Sequence, residues 1–445
     1  MAKRRSIVGS RSAAGAMAVC TYRREQPMSV STIDSAALRR AMVDQLADDH
    51  AAKGLTLRPE VEAAMRKVPR ELFTPGLPLR EAYENRAVIT KRRGEENISS
   101  VSAPFLIAEM LGQAADALGG LRGRHVLEIG SGGYNASLLW ELVGAAGSVT
   151  TVDIDPDVTD RAVACLKAAG YSDVKVVCAD AEHPVDPGRR YDLIIVTAGA
   201  WDIPPAWREQ LTDDGVLVVP LRTFGMTRSW ALRRAGVGLV SVSERQCGFV
   251  PVQGDGAYDV QYVDVADGVH LRLDEGQQLD SRSLDGLLET ARQEAWAGVS
   301  LPPPTVLANL DLWLATRIAA AGQEFVVLTA QDAAISSGVV APSWRFGTPA
   351  VLHDDGTLAY RSELRWTGDA FDLGAYAHGP DTSAAAAAAG RLVEHMRAWV
   401  SAGCPAPALH VLPAQTPDGD LPAGTAVDKR HSRIVLAFTS EGRES

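Results

Sequence analysis

Residues 125–137 read His-Val-Leu-Glu-Ile-Gly-Ser-Gly-Gly-Tyr-Asn-Ala-Ser, an apolar strand that breaks into a glycine-rich turn and then opens a helix. Residues 148–155, Ser-Val-Thr-Thr-Val-Asp-Ile-Asp, form a second apolar strand that ends in a carboxylate. The turn glycines Gly130, Gly132 and Gly133 let the backbone approach a ligand closely, and the helix N-terminus offers free N–H groups. Asp153 stands where a carboxylate takes both hydroxyls of a ribose. Together these elements describe a nucleotide cradle at the carboxyl edge of a parallel sheet.

The residue before the turn decides which nucleotide. A dinucleotide site places pyrophosphate on the helix N-terminus, and Glu128 would repel it. A carboxylate there suits a sulfonium cation and an amino-acid ammonium group. S-adenosyl-L-methionine is therefore expected rather than NAD, with S-adenosyl-L-homocysteine as product. The expected cofactor residues are Glu128, Gly130, Ser131, Gly132, Gly133, Asp153, Ile154, Asp180 and Ala181.

A chain of 445 residues is long for one core, and two domains are expected. The net charge of −11 is concentrated after Cys247, where 13 basic residues face 25 acidic ones. An acidic half of this kind disfavours a nucleic-acid backbone as partner and reads as simple solubility, with attraction of a basic peptide as the alternative. The five cysteines are scattered and form no Cys-x-x-Cys pair, so neither a zinc site nor a disulfide framework is expected, and a reducing cytoplasm fits. No metal is expected, and no apolar run is long enough to span a membrane. Residues 1–30 read as a disordered extension or an upstream start ahead of Met28, with only a poor signal-peptide pattern.

Apolar strands are expected at His125–Ile129, Val149–Val152, Val174–Cys178, Leu193–Thr197 and Val216–Pro220, alternating with helices. Asp213-Asp214-Gly215 reads as a turn introducing the last of them. Thr227–Arg234 and Leu239–Glu244 read as a closing antiparallel pair. Helices are expected over 34–68 and after Pro104, with 69–104 rich in loops. Beyond residue 246 strand-like runs mix with helices near 282–292, 309–320 and 383–400, the last capped by Thr382 or Ser383. The expected architecture is an α/β domain at 31–245, with a mostly parallel Rossmann-like sheet and helices on both faces. An α+β accessory domain follows at 246–445.

An ordered set of segments resembles the protein-L-isoaspartate O-methyltransferases. It comprises Val68-Pro69-Arg70-Glu71-Leu72-Phe73, Ala82-Tyr83-Glu84-Asn85, Ser102-Ala103-Pro104, Val126-Leu127-Glu128-Ile129-Gly130, Asp180, Tyr191-Asp192-Leu193-Ile194 and Gly215 to Pro220. The resemblance implies a cofactor role for Glu128, Gly130, Gly132, Asp153 and Asp180. It also implies that Ser102, the catalytic candidate, lies beside the substrate carboxylate. Ser102, Ala103, Pro104, Tyr134 and Asn135 are the substrate-side candidates, with packing and turn roles equally open for the last two. The turn is one residue shorter than the family's, and Ser-Gln-Pro is Ser-Ala-Pro here.

Further segments make the whole chain resemble the longer family members of lanthipeptide systems, the FxLD-system methyltransferases. These segments are Cys247 to Gly254, Leu310 to Thr316, His378-Gly379-Pro380 and Asp428-Lys429-Arg430-His431-Ser432. That resemblance implies methylation of an Asp in a ribosomally made peptide, whose ester cyclises to an aspartimide and on to isoaspartate. The alternative is repair of isoaspartate in damaged proteins. Either way the expected partner is a peptide or protein bearing Asp or isoAsp. Arg361 and Arg365 suit a substrate carboxylate or ordinary ion pairs, the C-terminal histidines read as structural, and Trp296, Trp313, Trp344 and Trp366 read as core, with an aromatic peptide groove as the alternative.

Overall fold

The apolar runs between residues 124 and 221 pair side by side in the computed structural model, which describes residues 34–130, 132–279, 284–303 and 305–438. The expected extension at 1–30 and Ser131 lie outside the described residues. A hairpin comes first, β1 (Val88–Arg93) with β2 (Glu96–Val101). The central strands are β3 (His125–Ile129), β4 (Ser148–Asp153), β5 (Lys175–Cys178), β6 (Tyr191–Val196) and β7 (Leu211–Thr223). They lie parallel in the order β7-β6-β3-β4-β5. The antiparallel strands β8 (Met226–Ala235) and β9 (Gly238–Gln246) continue the sheet beyond β7.

The C-terminal half contributes a second sheet. It contains β10 (Gln261–Ala266), β11 (Val269–Leu273), β12 (Gln293–Trp296), β13 (Glu324–Ala330), β14 (Thr348–Leu352) and β15 (Leu358–Arg361). After the two-residue strands β16 (Arg365–Trp366) and β17 (Phe371–Asp372), β18 (Gly374–His378) completes it in the order β10-β11-β13-β14-β15-β18-β12. The chain then returns to the first sheet. Strands β19 (Pro407–Pro413), β20 (Thr425–Asp428) and β21 (Ser432–Phe438) add to β9, giving the edge order β20-β21-β19-β9.

The two faces of the central sheet have different covers, and strand alternation sorts them. Val126, Leu193, Ile195, Val216 and Val218 point to one face and share a core with the helices Ser35–Ala52, Pro59–Lys67, Pro104–Leu118 and Tyr134–Val143. Leu127, Ile129, Ile194, Val196, Leu217 and Val219 point to the other. There they share a core with Leu310 and Trp313 of the helix Ala308–Ala320, and with Leu392 and Trp399 of the helix Thr382–Ser401. Helices thus cover both faces, and on the second face the short helix Pro205–Glu209 of the first half joins those of the C-terminal half. No helix among the described residues is long and apolar enough to cross a membrane.

Several local expectations need correction. Asp213–Gly215 is not a turn: β7 runs through it, and its pairing with β6 skips from Leu211 to Val216, so a bulge absorbs the extra residues. In place of the helix expected near 282–292, the described residues from 286 on form a single turn at Leu287–Glu289 followed by β12, because Gly286 is left-handed at φ 66° and Gln293–Trp296 pairs with β18. The alanine-rich helix is capped one residue earlier than expected, by Asp381, whose carboxylate accepts from Ser383 N at 2.7 Å and Ala384 N at 3.2 Å. Trp344 and Trp366 are exposed rather than core.

Candidate active site

Gly130 closes β3 by donating its N–H to Val152 O of β4 at 2.8 Å, so the turn begins tied to the neighbouring strand. Its φ of 102° and its surroundings both demand glycine. A Cβ there would sit 2.5 Å from Thr197 Oγ1, a hydroxyl that donates to the carbonyls of Gly130 at 2.8 Å and Ile129 at 3.1 Å. Gly133, at φ 80°, caps the helix Tyr134–Val143 against the Phe73 ring. The turn is thereby held open above the carboxyl ends of β3, β4 and β6.

A cavity of about 960 Å³, counted to its mouth, occupies that position. Of the expected cofactor residues, Gly130, Gly132, Asp153, Ile154, Asp180 and Ala181 line it. Asp153 ends β4 and accepts Asp155 N at 3.0 Å through one oxygen. The two oxygens of Asp180 accept Glu182 N at 2.9 Å and Asp255 N at 2.8 Å. Gly254, at φ 80°, lies so close to Asp180 that a Cβ would strike its carboxylate. This close approach seals the cavity beside β5.

Glu128 has a different position from the one expected. It is 1% exposed and lies beneath the cavity rather than in its wall. Thr151 Oγ1 donates to one oxygen at 2.5 Å and Asn135 Nδ2 to the other at 2.8 Å. Burial, reinforced by nearby Asp153, pushes its carboxyl up to about 7 against the pull of those two hydrogen bonds. Asn135 therefore orients Glu128 rather than facing substrate. Tyr134 does not face substrate either: it is 1% exposed, with its ring against Phe73 at 5.7 Å and the Arg70 guanidinium 4.9 Å from its centroid.

Ser102 is half-buried between β2 and the helix Pro104–Leu118, while Ala103 and Pro104 are buried. None of the three lines the cavity; Ser99 and Ser100, from the same strand, do. The hairpin that carries them is pinned over the site. Lys91 pairs with Asp155 and Asp157, each at 2.6 Å, and Thr90 donates to Ser99 at 3.0 Å. The residues read as loop before Pro104 are thus an ordered wall.

Two further walls come from segments not expected at the cofactor. Residues 250–252 join the end of β6, with Gly199 N donating to Val250 O at 2.8 Å and Val252 N to Gly199 O at 2.9 Å. Gln253 then bridges to the hairpin, accepting Arg93 at 2.8 Å and donating to Ile98 O at 3.2 Å. Arg430 and His431, from the far end of the chain, also line the cavity. His431 Nε2 meets Glu182 Oε1 at 2.8 Å, its backbone N–H donates to Asp202 at 2.5 Å, and Arg430 donates to Asp255 O at 2.5 Å. The only sequence signal for this was the motif Asp428–Ser432, which carried resemblance but no assigned role.

Lys429 lies under that corner. Its ammonium donates to the carbonyls of Trp201 and Arg222 and sits 3.6 Å from the Trp201 ring centroid. Trp201 lines the cavity and stacks on Tyr258 at 5.5 Å. Burial pushes the Lys429 ammonium down to about 7, despite Asp274 and Asp202 nearby.

The residues present fit S-adenosyl-L-methionine. The cradle at Gly130 has no room for a Cβ, an acid ends β4, and the tryptophans Trp201 and Trp207 line the same cavity. The family model described as protein-L-isoaspartate(D-aspartate) O-methyltransferase matches residues 40–257. The protein-L-isoaspartate O-methyltransferase of Ignicoccus hospitalis is 41% identical over 171 residues, 38% of this chain and 77% of that relative. Protein-L-isoaspartate O-methyltransferase 2 of Archaeoglobus fulgidus is 35% identical over 213 residues, 47% of this chain and 92% of that relative. A solved structure of a protein-L-isoaspartate O-methyltransferase covers 84% of this chain and 96% of that one, at 20% identity and a TM-score of 0.45.

Proposed function

The chain belongs to the protein-L-isoaspartate O-methyltransferase family and is an S-adenosyl-L-methionine-dependent carboxyl O-methyltransferase; on that premise we propose that it methylates L-isoaspartyl carboxylates in peptide or protein substrates. The observation that carries this reading is the ordered cradle of Gly130, Gly132, Asp153 and Asp180 within the matched segment. The cofactor, when bound, supplies an electrophilic methyl group on a sulfonium centre. In this reading Gly130 and Gly132 would admit it to the backbone, Asp153 would hold the ribose hydroxyls, and Ile154, Asp180 and Ala181 would hold the base.

A substrate carboxylate has a pKa near 4 and is already ionised at neutral pH, so the chain needs no general base. The chemistry therefore requires no histidine or cysteine pair, and Ser99 and Ser100 line the cavity close to Ser102 in the chain. In the proposed arrangement Ser102 holds the carboxylate by a hydrogen bond without neutralising it. The hairpin β1–β2 and residues 250–257 exclude water and keep nucleophile and methyl group in line. Residues 31–245 form the catalytic part and 246–445 the accessory part in this reading.

A second reading has one specific support. Residues of 246–445, together with residues of the first half, line a large cleft that shares a wall with the cavity, a surface beyond the family-matched segment. It would make the substrate an Asp side chain in a dedicated lanthipeptide-type precursor, with the ester closing to an aspartimide. The test is methyl transfer to matched peptides that differ only in Asp or isoAsp at one position. Methylation of isoAsp alone supports repair, methylation of Asp alone supports the dedicated reading, and methylation of neither defeats both.

A further inference from the structure

The second cleft encloses about 5320 Å³ up to its open mouth and meets the cofactor cavity along a shared wall of Ile98, Pro251, Val252, Gln253 and Ala257. Phe105, the first residue after Ser102-Ala103-Pro104, lines it from the catalytic side. Its far side is built by the second sheet, with Arg272 of β11 and Arg361 of β15. Tyr262, Trp344 and Phe346 stand on its rim at 60%, 56% and 55% exposure. These are exposed aromatic faces at the rim of a cleft that shares a wall with the cavity at the glycine turn.

The charge in the cleft opposes that of the chain. Seven basic and five acidic side chains line it, in a protein of net charge −11. Four arginines form the floor. Arg222 pairs with Asp274 at 2.6 Å, and Arg361 with Asp311 at 3.0 Å. Arg228 and Arg272 have no carboxylate within ion-pair distance among the described residues. Arg228 donates to Ala308 O at 3.1 Å, and Arg272 to Gly225 O at 2.8 Å. Arg228 is only 5% exposed, and the Nε atoms of both arginines and Nη2 of Arg222 are buried without an acceptor.

Guanidinium groups stay charged, so an unpaired one in a buried floor is costly unless an anion completes it. We propose that this cleft binds an acidic segment of the peptide substrate, with carboxylates on Arg228 and Arg272 and the methyl-accepting residue at the cofactor cavity. The aromatic rim packs on the backbone and apolar side chains of the same segment. The proposal rests on the carboxyl-methyltransferase reading and deepens it: the substrate is an anionic peptide. A nucleic acid also offers anions, but it offers no carboxylate to methylate.

The test uses the full chain, S-adenosyl-L-methionine and three short peptides with one common acceptor residue and acidic, amide or lysine flanks. The acidic peptide should be favoured over the amide one by about tenfold or more, in KM rather than kcat, with the preference erased at high salt. Arg272→Gln should narrow the difference, and Arg228→Lys should preserve more of it than Arg228→Gln. Equal KM values across the three peptides would overturn the proposal while leaving the methyltransferase reading intact. If no peptide is methylated, binding still decides. Fluorescence anisotropy of an acidic peptide lacking the acceptor, with S-adenosyl-L-homocysteine present, should show tight binding that the lysine-flanked peptide lacks. No difference there, or equal binding of a single-stranded oligonucleotide, would overturn it.

Discussion

His431 and Glu182 lie 249 residues apart in the chain and meet at 2.8 Å in the wall of the cofactor cavity. The contact joins the residue just before β21 to the loop after β5, so this wall of the cavity is completed only when β19–β21 have joined the sheet. His431→Ala should therefore weaken S-adenosyl-L-methionine by several-fold, as expected for one lost hydrogen bond of about 1 kcal/mol. Calorimetric titration of the purified variant measures this. An unchanged affinity would show that the corner is only scaffolding.

Gly130→Ala should be far more severe. It places a Cβ against Thr197 Oγ1 and forces an L side chain to φ 102°. Backbone strain of this kind costs on the order of 1–3 kcal/mol, before any distortion of the cradle. Cofactor affinity should fall more than the melting temperature does, a comparison made by thermal melts with and without S-adenosyl-L-homocysteine.

Asp153→Asn tests the ribose contact. Replacing a carboxylate acceptor by an amide should cost about 1.5–3 kcal/mol of cofactor binding, roughly ten- to a hundredfold. The effect should appear in the cofactor KM and leave the peptide KM nearly unchanged, which steady-state kinetics with each substrate varied will show.

Glu128 and Lys429 should shape the pH dependence of stability in opposite senses. The Glu128 carboxyl rises from 4.5 to about 7 on folding, so between those values the folded chain holds more protons than the unfolded one. Stability then falls as pH rises through that window, by about 3 kcal/mol at full extent, and stays level above it. The Lys429 ammonium falls from 10.5 to about 7, so the unfolded chain holds more protons between those values, and stability rises with pH there. Together the two groups contribute a minimum near neutrality. Denaturant midpoints measured across pH should lose the lower slope in Glu128→Gln and the upper slope in Lys429→Met.

The parallel core was legible because its strands are buried on both faces and read as unbroken apolar runs between glycine turns; His125–Ile129 matches to the residue. The hairpin β1–β2 was not, because Lys91, Arg92 and Arg93 alternate with nothing apolar and are ordered by Asp155, Asp157 and Gln253 from distant segments. Six of the expected cofactor residues come together in one cavity because they sit on a local turn and adjacent strand ends. That Glu128 is buried beneath the cavity was not legible, as only the partners Thr151 and Asn135 reveal where its oxygens point. Arg430 and His431 were beyond reach for a related reason: their place depends on β21 returning to the first sheet, a long-range pairing that no periodicity encodes.

The most direct test of the account is mass spectrometry of one peptide in matched Asp and L-isoAsp forms, each incubated with the full chain and S-adenosyl-L-methionine. The account predicts methyl gain on the isoaspartyl form, followed by loss of methanol as the ester closes to a succinimide. Retention of both peptides unmodified by a protein that binds S-adenosyl-L-homocysteine would contradict it.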